Sequence, residues 1–371
     1  MPSFVKLLSK IFGHKSIYFE EGEIKIWNVS MVFIPTKALV LLHSYLKKNK
    51  TNSSSLLYDL GRLQAYNGTK LIMKFFGIKS SKETWELFAE QSQMIGKGTC
   101  NIIQISKKKS AVRFSVSSFL DEYDKQSYPD NVESEENYLT GLISGVSEAI
   151  FNLQYSVKRV KNVIGKRREY LFELFPNKEE SSFYKESKKT LNLKQLMRPI
   201  KIGRIIKNVI EPKFMEYTDE GSIKIGKCEG ILITNDAFSL FVEQLFIKDK
   251  KSLNKFGKDI GDSLLPENRF RNPIDLIGYS IDSFSKSGWG ELRAISIKKD
   301  SSVFELENSS VAKHLLKNVG AKKQPRDIII CGYLEFVLKK AFKKSFKVNE
   351  VSCIVQGKSE RCAFIGKATR Q

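Results

Sequence analysis

A chain of 371 residues with 41% apolar and 28% charged residues is too long for a single core and too apolar for wholesale disorder, so two globular domains are expected. Lysine and arginine outnumber the acids 62 to 41, for a formal charge of +21, which raises a polyanionic partner; the basic residues are scattered, mostly lysine, and belong to no recognisable reading module, so nucleic acid is not favoured. The longest apolar runs, such as 328–334, fall far below the roughly 20 residues of a membrane span, and five cysteines with no signal-type apolar core at the start point to a reducing, cytoplasmic setting.

In chain order, short β-branched segments predict strands over 16–19, 24–29 and 32–35, followed by a helix capped by Thr36 that carries Leu39, Leu42 and Leu46 at helical spacing. Helices are predicted over 57–76 and 82–94, the second capped by Ser81. After Gly96-Lys-Gly98 the alternation predicts a hairpin, 101–106 with 111–117, then a long helix over 135–155 and a closing hairpin, 157–164 with 169–175. A charged, serine-rich stretch separates this half from the next. The same order then returns: strands over 214–217, 223–228 and 231–234, a helix capped by Asp236 with Phe238, Phe241, Val242 and Leu245, a hairpin 292–298 with 302–306 after Gly288-Trp-Gly290, a helix over 325–346 begun by Pro325, and a hairpin 347–355 with 361–367.

The two halves also agree residue by residue. Glu21-Gly-Glu-Ile-Lys-Ile26 and Val32-Phe-Ile34 are answered 199 positions later by Glu220-Gly-Ser-Ile-Lys-Ile225 and Ile231-Leu-Ile233. Gly96, Gly98, Ile103, Ile105, Ser110 and Ser117 fall on Gly288, Gly290, Ile295, Ile297, Ser302 and Ser309 at an offset of 192, and Gly141, Val146 and Phe151 on Gly332, Val337 and Phe342 at 191. A tandem duplication is expected, with domains at 1–178 and 213–371 and a charged, partly helical linker at 179–212.

Only the second copy ends in a cluster of metal-ligand type. Glu350 and Cys353 lie three apart on one strand, and Cys362 returns on its partner after a turn with Gly357. Zinc takes four such donors and depresses the pKa of a bound thiol. The preceding helix offers a fourth in Asp327 or Cys331, one turn apart. Two cysteines that simply pack as small hydrophobes are the alternative.

The stretch from Cys331-Gly-Tyr333 through Phe346-Lys-Val-Asn-Glu350-Val-Ser-Cys353, with Gly357, Cys362 and Ile365-Gly-Lys367, resembles the C-terminal half of the 4-vinyl reductase domain, in particular the sensor domains of bacterial regulators that detect phenols and xylenes. The resemblance implies a mixed α/β (α+β) ligand-binding fold in two tandem copies, each with hairpins packed against several helices, related to small subunits of the TRAPP tethering complex and to haem nitric-oxide-binding domains. It also implies a structural zinc held by a helix cysteine, a glutamate and two strand cysteines. Glu350, Cys353 and Cys362 match that set; the helix position falls at or near Asp327, with Cys331 a turn later. The Cys353 to Cys362 spacing is one residue longer than in the sensors. In the first copy Arg159, Asn162 and Tyr170 stand at the equivalent places, so zinc is expected in the C-terminal domain alone.

A zinc with four protein ligands is a staple, which leaves function to a cavity between helices and sheet. Phe284 and Trp289, and Trp85 and Phe88 in the first copy, are candidate walls or ordinary core. No enzyme is expected: His14, His43 and His314 are widely separated, and the glycine turns lack a nucleotide fingerprint. The leading expectation is a non-enzymatic cytosolic sensor or carrier for a hydrophobic, aromatic small molecule. A TRAPP-like protein-interaction scaffold using an internal pseudo-dimer, with a protein partner or as a homodimer, and a basic nucleic-acid-associated regulator are the alternatives.

Overall fold

The computed structural model describes residues 17–26, 29–48, 53–75, 77–115, 122, 132–164, 168–180, 214–217, 222–266, 270–357 and 359–369. The first half runs β1 (Ile17–Glu20), β2 (Glu23–Ile26), β3 (Val29–Pro35), α1 (Thr36–Lys48), α2 (Ser53–Phe75), α3 (Ser81–Met94), β4 (Thr99–Gln104), β5 (Ser110–Ser115), α4 (Val132–Phe151), β6 (Leu153–Ile164) and β7 (Arg168–Glu180). The second runs β8 (Met215–Tyr217), β9 (Ile223–Ile225), β10 (Cys228–Thr234), α5 (Asn235–Lys248), α6 (Lys250–Leu264), α7 (Pro273–Phe284), β11 (Glu291–Ile297), β12 (Ser301–Glu307), α8 (Ser310–Val319), α9 (Ile328–Phe342), β13 (Phe346–Ser352) and β14 (Arg361–Ala368). The fold is mixed α/β with antiparallel sheets, as expected. Among the described residues, no helix is long and apolar enough to cross a membrane.

Caps differ from the sequence reading in detail. Ser80 rather than Ser81 caps α3, accepting the Glu83 N–H at 3.4 Å. Asp236 lies inside the first turn of α5, behind an N-cap at Thr234. Its carboxylate is drawn instead to α8, 2.7 Å from His314 Nδ1 and 3.0 Å from the Asn318 amide. Burial opposes its ionisation, yet these partners and Lys317 hold the carboxyl down at about 2. Helix α9 begins at Ile328, not Pro325, because Asp327 takes the N-cap position.

The chain divides into two compact units, one of Met1–Ile17, Ser53–Glu211 and Tyr217–Ile223, the other of Tyr18–Asn52, Pro212–Glu216 and Lys224–Gln371. Residues 18–52, grouped by the repeat with the first half, thus belong to the second unit. The linker expected at 179–212 lies, beyond its first two residues, outside the described residues.

The first unit is built on α2 against α4, where glycines let the backbones touch: a Cβ on Gly61 would stand 2.2 Å from the Tyr138 carbonyl oxygen, and one on Gly141 2.1 Å from that of Tyr58. Beside them Arg62 grips the buried Glu148 carboxylate through two bonds, 2.8 and 2.9 Å. Its sheet has the order β4-β5-β7-β6.

The second unit repeats that order as β11-β12-β14-β13. It also repeats the glycine contact, with a Cβ on Gly257 of α6 falling 1.9 Å from the Ile329 carbonyl oxygen and one on Gly332 of α9 1.9 Å from that of Asn254. In its further sheet, of order β1-β2-β3-β10-β9-β8, β3 and β10 pair antiparallel with Phe33 opposite Leu232.

Candidate metal centre

The closing hairpin sets the site. On β14 the positions Cys362, Phe364 and Gly366 point inward, alternating with exposed or half-buried ones. On β13 Phe346 and Val348 point inward, and Glu350 is next in that period. Cys353 stands three further on, an odd spacing that on a regular strand would place it on the opposite face. The pairing slips by one residue between Glu350 and Ser352, leaving Val351 as the extra residue, 55% exposed. This bulge turns Cys353 back to the face of Glu350. Cys353 then opens a single turn of 3-10 helix, Ile354–Gln356, which ends at Gly357 in the left-handed region (φ 70).

Asp327, at the start of α9, completes the set. The ligand atoms of Asp327, Glu350, Cys353 and Cys362 lie within 4.8 Å of one another. Asp327, Cys353 and Cys362 are buried, and the two sulfurs are 3.6 Å apart. Zinc–sulfur bonds of about 2.3 Å at a tetrahedral angle place two thiolates about 3.8 Å apart, so the pair fits one ion. Each carboxylate has one oxygen engaged by the protein. Ser309 Oγ donates to Asp327 Oδ2 at 2.7 Å, and the Asp327 backbone N–H donates to Glu350 Oε2 at 2.9 Å. The remaining oxygens, Asp327 Oδ1 and Glu350 Oε1, are buried without a hydrogen-bond partner among the described residues. Such orphaned acceptors beside two thiols are what a cation satisfies, and their engaged halves orient them as outer-shell partners do. The Ile354 N–H donates to Cys362 Sγ at 3.3 Å, a further support for sulfur carrying negative charge.

The four groups oppose one another electrostatically. Burial pushes the Asp327 carboxyl up to about 6. Burial, the charge of Asp327 and the neighbouring Cys353 push Glu350 up to about 11. The hydrogen bond from the Cys362 thiol holds Cys353 below the ordinary thiol range, and the same bond, with burial, raises Cys362. A dication relieves the conflict by offsetting half of the four negative charges and favouring the deprotonated form of each donor. The donor set, two sulfurs and two carboxylates, suits zinc.

Of the residues expected to ligate, the structure gathers Asp327, Glu350, Cys353 and Cys362. Cys331 is buried one turn into α9 and stands outside the four-donor group. The side chains at the first-half positions Arg159, Asn162 and Tyr170 lie outside the described residues, though their strands pair as β6 and β7. Ser309 was missed: its sequence signal, serine three residues before Ala312 at the head of α8, reads as an N-cap, which it also is.

The expected pocket walls are all buried. The Phe284 and Trp289 rings stack 5.7 Å apart, with Phe238 edge-on to Trp289 at 5.5 Å and Tyr333 4.7 Å from Phe284. Trp85 meets Phe88 edge-on at 5.7 Å. Both indole N–H groups, of Trp85 and Trp289, are buried with no acceptor among the described residues.

No family model matches the chain, and no curated protein does. Among solved structures, the chain is similar to the phenol-responsive sensory domain of the transcription activator PoxR with phenol, at 15% identity over 42% of this chain and 85% of that one, with a TM-score of 0.35. It is similar to a vinyl-4-reductase family protein from Methanocaldococcus jannaschii at 28% identity over 36% of this chain and 80% of that one, with a TM-score of 0.28. A trafficking protein particle complex subunit 3 from Naegleria fowleri, covalently bound to palmitic acid, is similar at 13% identity over 40% of this chain and 98% of that one, with a TM-score of 0.27.

Proposed function

We propose that the chain is a non-enzymatic small-molecule binding protein made by tandem duplication, whose second unit is stapled by a structural zinc ion at Asp327, Glu350, Cys353 and Cys362. The observation that carries the staple is the pair of orphaned buried carboxylate oxygens beside two sulfurs 3.6 Å apart. Four protein donors leave zinc no open position, so its role is to hold the start of α9 to the β13–β14 hairpin. Cys331 then acts as core, and the binding function lies elsewhere in each unit.

The aromatic interiors favour a hydrophobic ligand with a hydrogen-bond acceptor, because each holds an indole N–H that no group among the described residues satisfies. A thermal-melting screen of the full chain against phenols and lipid-like alcohols tests this. A ligand at about a hundredfold its dissociation constant contributes about 2.7 kcal/mol to the folded state, so a binder raises the melting temperature by several degrees. Unchanged melting across the panel would sink the binder reading.

One observation favours a scaffold as the second reading. Phe33 and Leu232, opposite each other where β3 meets β10, occupy the same position of the two repeats. A pairing that reads identically from either half is the arrangement of a two-fold interface, here supplied within one chain as an internal pseudo-dimer. Such a chain would present its remaining surfaces to protein partners.

A further inference from the structure

In the second unit the glycines around Trp289 have left-handed backbones, Gly288 at φ 81 and Gly290 at φ 113. The first unit keeps this device, with Gly96 at φ 81 and Gly98 at φ 87, but the residue between them is Lys97. Like Trp289 it is turned inside and only 2% exposed. The aromatic partner changes too. At the offset of 192 that aligns these turns, Phe284, which stacks on Trp289, is replaced by Ser92. Two facing rings have become an amine and a hydroxyl.

Among the described residues, neither group is satisfied by the protein. Among the described residues no carboxylate or hydrogen-bond acceptor pairs with the Lys97 amine; its one close partner is the face of the Tyr138 ring, 5.7 Å away. Ser92 Oγ is fully buried and has no partner among the described residues, as is true of Trp85 Nε1, which lies two turns earlier on the same face of α3. The Lys97 backbone N–H bonds the Ser92 carbonyl at 2.9 Å, which fixes the lysine at the end of that face. A protonated amine and an indole N–H can only donate, and a hydroxyl can donate. With Lys97 protonated, these buried groups would be satisfied by an anionic acceptor.

We propose that the first unit carries an acid-binding site at Lys97, whose amine and the Ser92 hydroxyl receive the carboxylate of an organic acid, with Trp85 Nε1 as a further donor and the acid's apolar body in place of the rings of Phe284 and Trp289. The site deepens the small-molecule reading above and rests on it. The two units would then differ in selectivity, the second taking neutral compounds and the first acids. Burial holds the empty amine well below its ordinary range, so binding an anion draws a proton from solution, increasingly as the pH rises.

The test uses the full chain and matched probes, octanoate and benzoate against octanol and benzyl alcohol, in thermal melting and calorimetry. Both carboxylates are expected to bind the native protein, with a proton uptake that calorimetry in two buffers of different ionisation enthalpy reads out. In Lys97→Met their affinity should fall at least tenfold while the alcohols are unaffected. The ligand-free variant should melt no lower than the native chain, since a desolvated amine has been removed. Carboxylates that bind Lys97→Met as well as the native chain, or without proton uptake, overturn the inference. If the alcohols bind and the carboxylates do not, the small-molecule reading stands and the acid site falls; if none binds, both fall.

Discussion

Gly332→Ala is expected to destabilise the second unit by about 3 kcal/mol or more, because the new methyl group would stand 1.9 Å from the Asn254 carbonyl oxygen, and backbone cannot swing aside as a side chain does. The same substitution at Gly257 meets the Ile329 carbonyl at 1.9 Å and should cost a similar amount. In a unit of this size that corresponds to a fall in melting temperature of roughly 6–12 °C. Helices α6 and α9 can only separate to admit a methyl, and separating them moves Asp327 at the head of α9 away from the hairpin that carries Cys353 and Cys362. Gly278→Ala on α7 is the control. Its position is exposed and has no atom within 4 Å of an added Cβ, so alanine there should stabilise by about 0.5–1 kcal/mol through helix propensity alone. Equal effects at Gly332 and Gly278 would contradict the packing described. Gly141, 2.1 Å from the Tyr58 carbonyl by the same measure, shows that the first unit depends on the same approach.

Cys353→Ser is expected to abolish metal retention and to lower the melting temperature of the second unit by more than any surface substitution does. An ion present at about a thousandfold its dissociation constant contributes about 4 kcal/mol, all of which is lost when a ligand is removed. The variant also leaves Asp327 Oδ1 and Glu350 Oε1 buried without a cation. The pH dependence of the metal-stripped protein gives an independent sign. Asp327 is pushed up from 3.8 to about 6, so its neutral form is the one the fold favours. Its contribution is fully present below about 4 and is lost as the pH rises through about 6. The stripped protein should therefore lose stability between about pH 4 and 7, whereas the loaded protein should gain it, because zinc binds only the deprotonated donors. Parallel melting curves for the two forms over that range would count against a metal at this cluster.

Much of this arrangement was legible in the sequence, for identifiable reasons. The offset of 192 carried the hairpins from one half to the other, and both sheets have the same strand order because the same alternation recurs around the same glycine turns. The four donors were all named from residue type and spacing. Their convergence was not derivable from spacing alone, since Glu350 and Cys353 would diverge on a regular strand and only the bulge at Val351 reunites them. Asp327 against Cys331 was undecided for a related reason. Both suit a helix face; α9 starts at Ile328, which leaves Asp327 as an N-cap residue whose side chain makes no cap hydrogen bond and lies in the four-donor group. Asp236 shows the reverse error. Its type suits an N-cap, but His314 and Asn318, some eighty residues away in the chain, compete for the same carboxylate and win it. The membership of residues 18–52 in the second unit had no local signal, because strand pairing such as β3 with β10 is decided by partners distant in sequence.

The most direct measurement is metal analysis and zinc X-ray absorption on the full native chain, purified without added metal and then compared with the same protein after chelation. The expected result is about one zinc per chain with two sulfurs at about 2.3 Å and two oxygens at about 2.0–2.2 Å in its shell, and a marked fall in melting temperature once the ion is withdrawn. A native protein that is folded, free of metal and indifferent to the chelator would contradict the zinc staple.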